Sequence, residues 1–403
     1  MTRLAPAQRR LLVLAASSQA AISVASWGLG ALGPEFRSEF GLSAAALGAL
    51  LAAGFIGNAV ILIPAGSLVD RIGPRRPLIV GGLLSGAALI AAGCAPDPVL
   101  VGVGLFVFGV AAAFVAVAGT VSVFHGFDAD RRGMALGVRQ MSVSAGGLVA
   151  AGLLPGLAAV GGVRLALITS GVLAAVVATG FGLASPSGAL LAEAPTSRRI
   201  DVSGLVRIPG IARVAAIAAV HVTVLTAALN FSVPAIRDAG SSAPVGAALF
   251  AVVSASAMVA RLMWGRVADL DAGTRRRATL RDVGLVTLVG ALLYWAAGPL
   301  GPAAQLPAMF VFAFGAMGAN GLLYLIAGEL TGSARAGQAV GLVSMVLFGW
   351  SALMSPFLGW IADVAGFDAL WPISAGLACL SIALTLGLPR EPEGGLTRGG
   401  DCR

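Results

Sequence analysis

Three ionisable side chains fall inside long apolar stretches of this chain: Arg139, Arg261 and His221. A charge at the centre of a membrane helix costs about 2.5–3.5 kcal/mol on insertion scales, so each is a functional candidate by default. No carboxylate shares their depth. Glu35, Glu39, Asp97, Asp238, Asp363 and Asp368 belong to outer ends or loops, and Glu329 to an inner end. Cations without an acidic partner favour an anionic ligand, because a guanidinium fork matches a carboxylate bidentately. For Arg261 this use competes with snorkelling to the interface. His221 could titrate near neutral pH, or serve as a hydrogen-bonded packing residue.

Uncharged polar groups on the same stretches are Gln19, Ser23, Trp27, Asn58, Gln140, Ser144, Thr226, Asn230, Asn320, Tyr324 and Trp350. Each could equally tie two helices together. As a set they describe a small, weakly polar pocket with two aromatic walls, suited to a small organic anion or a neutral drug-sized molecule.

The elements that must position these groups follow from composition. Hydrophobic residues make up 58% of the 403 positions and charged residues 11%, too few to coat a soluble globule. Stretches of about 20 apolar residues, enough to cross a bilayer, lie near 11–33, 43–65, 77–95, 99–124, 134–157, 164–184, 211–233, 244–266, 282–299, 303–327, 337–360 and 368–388, predicting twelve spans. All 26 basic residues are arginine. Only Arg37, Arg164 and Arg237 fall on the face opposite the termini, which places both termini in the cytoplasm. The basic, apolar first 30 residues read as an uncleaved first span rather than a signal peptide. Arginines scattered through short loops argue against a nucleic-acid surface.

Between spans 2 and 3 lies Gly66-Ser-Leu-Val-Asp70-Arg71-Ile-Gly73-Pro-Arg75-Arg76, and its skeleton returns as Gly265-Arg-Val-Ala-Asp269 followed by Arg275, Arg276 and Arg277. Further anchors recur in the same order: Pro34 and Arg37 with Pro234 and Arg237, Arg131, Gly133, Ala135 and Gly137 with Arg335, Gly337, Ala339 and Gly341, and Gly162 with Gly366. The chain therefore reads as parallel repeats. A six-helix bundle over residues 1–184 and a second over 210–390 are joined by a polar linker, 185–209, with a cytoplasmic tail at 391–403.

On these motifs the chain resembles the major facilitator superfamily from about Arg10 to Arg390, the first loop closely and the second partly, since no arginine directly follows Asp269. The resemblance implies an all-α polytopic fold whose bundles rock about a central site, lined from spans 1, 4, 5, 7, 8, 10 and 11. It implies a latch between Asp70 and the start of span 11, near Arg335, and another between Asp269 and the start of span 5. For Arg139 it implies pairing with Asp269 first and substrate contact second. The window Ala260-Arg261-Leu-Met-Trp264-Gly265 resembles span 8 of monocarboxylate and oxalate carriers. Span 4 is apolar from Leu105 to Phe114 and lacks the arginine of proton-coupled members. Span 5, with Gly146, Gly147, Gly152 and Pro155, departs from the glycine-proline pattern of drug antiporters.

An enzyme lacks support. The chain has only His125 and His221 for metal or acid–base work, no Ser, His and Asp set at one depth, and no lysine for a phosphate-binding loop. Cys94, Cys379 and Cys402 suggest no disulfide or metal framework. The expectation is a cofactor-free, monomeric, gradient-driven or facilitative carrier in a bacterial inner membrane. Its cargo class is a small organic or inorganic anion, with hydrophobic-compound efflux as the alternative and a transport-dead sensor as a third reading.

Overall fold

The computed structural model describes residues 4–127, 129–185, 204–205, 207–268, 276–331 and 336–388, without the side chains of Ile63, Asp70, residues 129–134, Ala336 and Gly337. Among the described residues there is no strand. This is the expected answer to a lipid solvent, in which a helix satisfies its own backbone. The outer surface is correspondingly apolar, with Val99 73% and Val160 86% exposed.

The helices are α1 (Pro6–Ala31), α2 (Gly33–Phe40), α3 (Ala44–Ile72), α4 (Arg75–Gly93), α5 (Pro98–Gly126) and α6 (Ala129–Ala184), then α7 (Ile211–Thr226), a π-turn (Ala227–Phe231) and α8 (Ser232–Asp238). They continue as α9 (Ala243–Ala268), α10 (Arg276–Ala297), α11 (Pro302–Ala316), α12 (Ala319–Thr331), α13 (Ala336–Ala365) and α14 (Leu370–Leu386). Among the described residues eleven segments are long and apolar enough to cross a membrane. One of them, Ala135–Ala184, has 50 residues. It would stand about 75 Å tall if straight, against about 30 Å of hydrocarbon.

Gly161 (φ −138°, ψ 24°) and Gly162 (φ 67°, ψ −175°) break α6 between the expected spans 5 and 6. Its first arm lies along α1, where Gly146 meets the Ala20 carbonyl, and its second along α4, where Gly171 meets the Gly86 carbonyl. Glu39 accepts a bond from the Val163 amide (3.1 Å) and so caps the second arm. Gly366, the repeat partner of Gly162, also has positive φ (80°), as do Gly41 and Gly240 at the ends of α2 and α8. Arg37 and Arg237 likewise play one part twice. The first donates to the Leu42 carbonyl (3.3 Å) and the second to the Ser241 carbonyl (2.9 Å).

Two predicted spans differ in shape. Span 7 carries the π-turn and continues through α8, and span 10 is divided into α11 and α12 at Met317–Gly318. At that division the Gly318 amide bonds the Gly315 carbonyl (3.1 Å) instead of continuing the helix, and the Trp264 indole donates to the Phe314 carbonyl (3.1 Å). Gly318 is needed there because a Cβ would stand 2.3 Å from the Trp264 ring.

Helices up to residue 184 pack chiefly among themselves, as do those from 211 onward, and α3 against α13 and α6 against α9 form the main seams between them. Most of the predicted linker, with Arg198, Arg199 and Asp201, lies outside the described residues.

Candidate functional site

The seam of α6 and α9 brings two predicted site residues together from opposite halves. Gly147 has no Cβ; one would stand 2.7 Å from Ser254 Oγ and 3.0 Å from the Trp27 ring, so α9 and α1 both press on α6 here. Two turns further along α9, Arg261 reaches back across the seam. One Nη donates to the Gln140 carbonyl (2.8 Å), and its Cζ lies 5.4 Å from the centre of the Trp27 ring. That cation–π stack and a single neutral acceptor leave most of the guanidinium fork uncommitted. Among the described residues no carboxylate pairs with Arg261.

Arg139 precedes Gln140 in the chain but points the other way. It is 4% exposed, and its terminal nitrogens donate to Thr120 Oγ1 (2.9 Å), Gln19 Oε1 (2.7 Å) and the Ala116 carbonyl (2.7 Å). Its Nε is buried without an acceptor. Gly119 leaves the floor for the guanidinium, since a Cβ there would be 3.0 Å from Nη2. Arg139 thus ties α1, α5 and α6 into one unit, with Gln19 oriented by a further contact to Ser23 Oγ (3.4 Å). Its expected partner Asp269 lies outside the described residues, as do Arg335 and the side chain of Asp70.

Three other predicted lining residues are taken up by a ladder between α13 and the stretch formed by α7 and its π-turn. Trp350 Nε1 donates to Thr223 Oγ1 (3.1 Å), the Thr226 and Ser351 hydroxyls share a bond (2.8 Å), and Asn230 Nδ2 donates to Ser355 Oγ (3.1 Å). Thr226 with Asn230, and Ser351 with Ser355, are each i, i+4 pairs on one helix face, a signal readable in the sequence. Such bonds contribute about 0.6 kcal/mol on average in a membrane protein. Asn230→Ala is expected to lower the thermal midpoint by a degree or two in detergent, with transport retained, as checked by a fluorescence melt beside an uptake assay.

Tyr324 receives a bond from Ser344 Oγ (3.4 Å), whereas the Oδ1 atoms of Asn58 and Asn320 are buried without partners. His221 looks away from the seam. It lines a small cleft with Gly284 and Thr287 of α10 and Ala378 and Ser381 of α14, its Nε2 buried and unpaired. Those two helices correspond to spans 9 and 12, outside the set expected to line a central site, although the ring also bonds the backbone of Ala316 in α11, part of span 10.

The two ends of the molecule differ. At the face where α6 reverses, here the far face, the halves touch closely: a Cβ on Gly30 would be 2.4 Å from the Leu229 carbonyl, on Gly48 2.3 Å from that of Ser355, and on Gly359 2.2 Å from that of Ala44. Arg37 and Asp238 pair there at 3.7 Å. Burial raises the Glu35 carboxyl beside them above the ordinary carboxylate range, against a smaller lowering by Arg237. Toward the opposite, terminal face, Gly66, Gly137, Gly265 and Gly341 have no described atom within 4 Å of the point where a Cβ would stand. At that face Arg276 pairs with Glu329, and Arg277 donates to the Thr385 carbonyl (3.1 Å) at the end of α14.

Solved structures share this architecture. A nucleoside transporter, NupG, in a point-mutant form superposes with a TM-score of 0.77 at 14% identity, covering 93% of this chain and 99% of its own. A bacterial homologue of the human lysosomal transporter Spinster, in an inward-facing and unoccupied conformation, gives 0.76 at 16% identity, covering 95% of this chain and 97% of its own. Its occupied, inward-facing form gives 0.76 at 15%. At such identities the likeness is one of fold. No curated protein matches in sequence. The family model of the Major Facilitator Superfamily matches residues 15–356, and with that match over most of its length the chain belongs to this superfamily of multi-pass membrane transporters.

Proposed function

We propose that the protein carries a small organic or inorganic anion across a bacterial inner membrane by alternating access, as a monomer driven by a solute or ion gradient or acting as a facilitator. The observation that carries this reading is Arg261: a guanidinium at the seam of the halves, stacked on Trp27, held by one carbonyl and facing no described carboxylate. A carboxylate entering the seam gains a bidentate pair that the Gln140 carbonyl cannot supply. Counting the two arms of α6 separately gives twelve crossings. Arginine-rich loops then put the terminal face in the cytoplasm, so that the touching far ends fit a carrier facing inward.

The test is uptake of labelled small carboxylates, cyanate and nitrate into proteoliposomes, with and without a pH gradient, beside a nucleoside and a hydrophobic dye as neutral competitors. Arg261→Gln is expected to raise the KM for the transported anion about 10- to 100-fold, the equivalent of one strong charge-assisted interaction. Anion uptake at unchanged affinity in that variant would sink the assignment. Dye export without anion flux would move the protein to efflux, and binding without flux would make it a sensor.

A further inference from the structure

We infer that Asp363 is the lock of the far face, the counterpart at one end of a helix pair to Asp70 at the other. The inference rests on the alternating-access reading and not on the cargo. Helices α3 and α13 cross the seam antiparallel, since Ala44 lies against Gly359 and the later Gly48 against the earlier Ser355. Each ends alike: Asp70 is the third-last residue of Ala44–Ile72, and Asp363 the third-last of Ala336–Ala365. Antiparallel packing therefore sets each aspartate at the level where its partner helix begins.

At the far face the contact is made. Asp363 Oδ1 accepts from the Ala44 amide and Oδ2 from the Ala45 amide, both at 2.7 Å. These are two of the amides that the first turn of α3 cannot satisfy internally, and the positive end of its dipole faces the carboxylate. Ser43, from the same half as α3, accepts from Ala46 (3.1 Å), so this helix start is capped jointly by its own half and by the other. When the halves part at this face, α3 keeps the Ser43 cap and loses the Asp363 cap. The other described charges nearby are Arg37, over the Phe367 ring at 5.4 Å, and Asp238. Their ion pair, at 3.7 Å, is worth little; Asp363 is solvent-exposed too, but its two short charge-assisted bonds to helix-start amides make it the more directed polar tie. A rocking motion cannot close both ends of α3 and α13 at once, so the two aspartates hold opposite states.

The experiment labels Ser38→Cys and Ser241→Cys with spin labels in a chain otherwise freed of cysteine, and reads the distance distribution across the far face in nanodiscs. Asp363→Asn keeps the size of the side chain but turns a donor toward donors. It is expected to raise the ratio of open to closed far-face distances about tenfold, and Asp70→Asn to lower it. Ala44→Pro approaches from the other half. It removes one bonded amide at the first helical position, where proline is accommodated and where the extended Ser43 (ψ 166°) is suited to precede it; the same direction of shift is expected. Asp97→Asn is the control, because Asp97 caps α5 through Val99 and Leu100 wholly within the first half. An unchanged distribution in both Asp363→Asn and Ala44→Pro, or an equal shift in Asp97→Asn, would overturn the inference. Distances are read without substrate, so failure of the anion reading leaves this result intact.

Discussion

Arg139→Met is expected to lower stability by about 3 kcal/mol, the balance of two opposed terms. Three charge-assisted bonds of roughly 1.5–3 kcal/mol each are lost, and the cost of holding a cation in the membrane, about 2.5–3.5 kcal/mol, is relieved. The bonds prevail chiefly through Gln19, whose buried Oε1 is left without its donor, whereas the Ala116 carbonyl keeps the bond from Thr120 Oγ1 (2.8 Å). Arg139→Lys should fall between, since one ammonium cannot reach Gln19, Thr120 and Ala116 together as a planar fork does. Thermal unfolding in a fixed detergent, alongside membrane yield, checks the order wild type, Lys, Met. A methionine variant as stable as wild type would mean that the guanidinium is not a structural tie and is free to serve substrate.

Much of the fold was legible because a bilayer leaves few choices. A helix must be about 20 residues long to cross it, so span positions follow from apolar length alone. The repeat was legible for a different reason: Gly162 and Gly366 are held at positive φ and tolerate no side chain cheaply, so the type persists where the backbone demands it. Interruptions inside spans were not legible. The π-turn at Ala227–Phe231 and the division of span 10 at Met317–Gly318 coincide with contacts made by distant helices, Gly30 on Leu229 and Trp264 on Phe314. Periodicity carries no trace of such contacts.

For the candidate site, residue type was informative and pairing was not. Arg139 and Arg261 stand out by charge, yet nothing in their spacing says that one is consumed within its own half while the other crosses the seam. Asp363 reads from sequence as an outer-end carboxylate, and its partner amides are 318 and 319 residues away. His221 illustrates the same limit from the other side. A helix wheel cannot say which face meets the pathway until the neighbouring helices are known, and here they are α10, α14 and, through Ala316, α11.

Gly359→Val is expected to reduce transport at least 100-fold while leaving a folded protein. Even the first carbon added at this position would stand 2.2 Å from the Ala44 carbonyl, a backbone atom that cannot rotate aside, and valine adds two methyls that cannot all point away. The clash exists only where α3 and α13 touch at the far face. Separating the halves there relieves it, so the substitution penalises one state of the cycle rather than the fold. Shifting a two-state ratio from 99:1 to 1:99 takes about 5.5 kcal/mol. Two backbones forced apart inside a packed seam reach that scale, since overpacking alone costs about 1–3 kcal/mol even where side chains can yield. The measurements are uptake together with alkylation of a cysteine placed at Leu47, which is buried in the closed far face. Lost uptake with fast alkylation is the expected pair. Lost uptake with slow alkylation would mean that the valine distorts the bundle without opening it, and full uptake would mean that the seam yields and that close approach of these helices is not required for turnover.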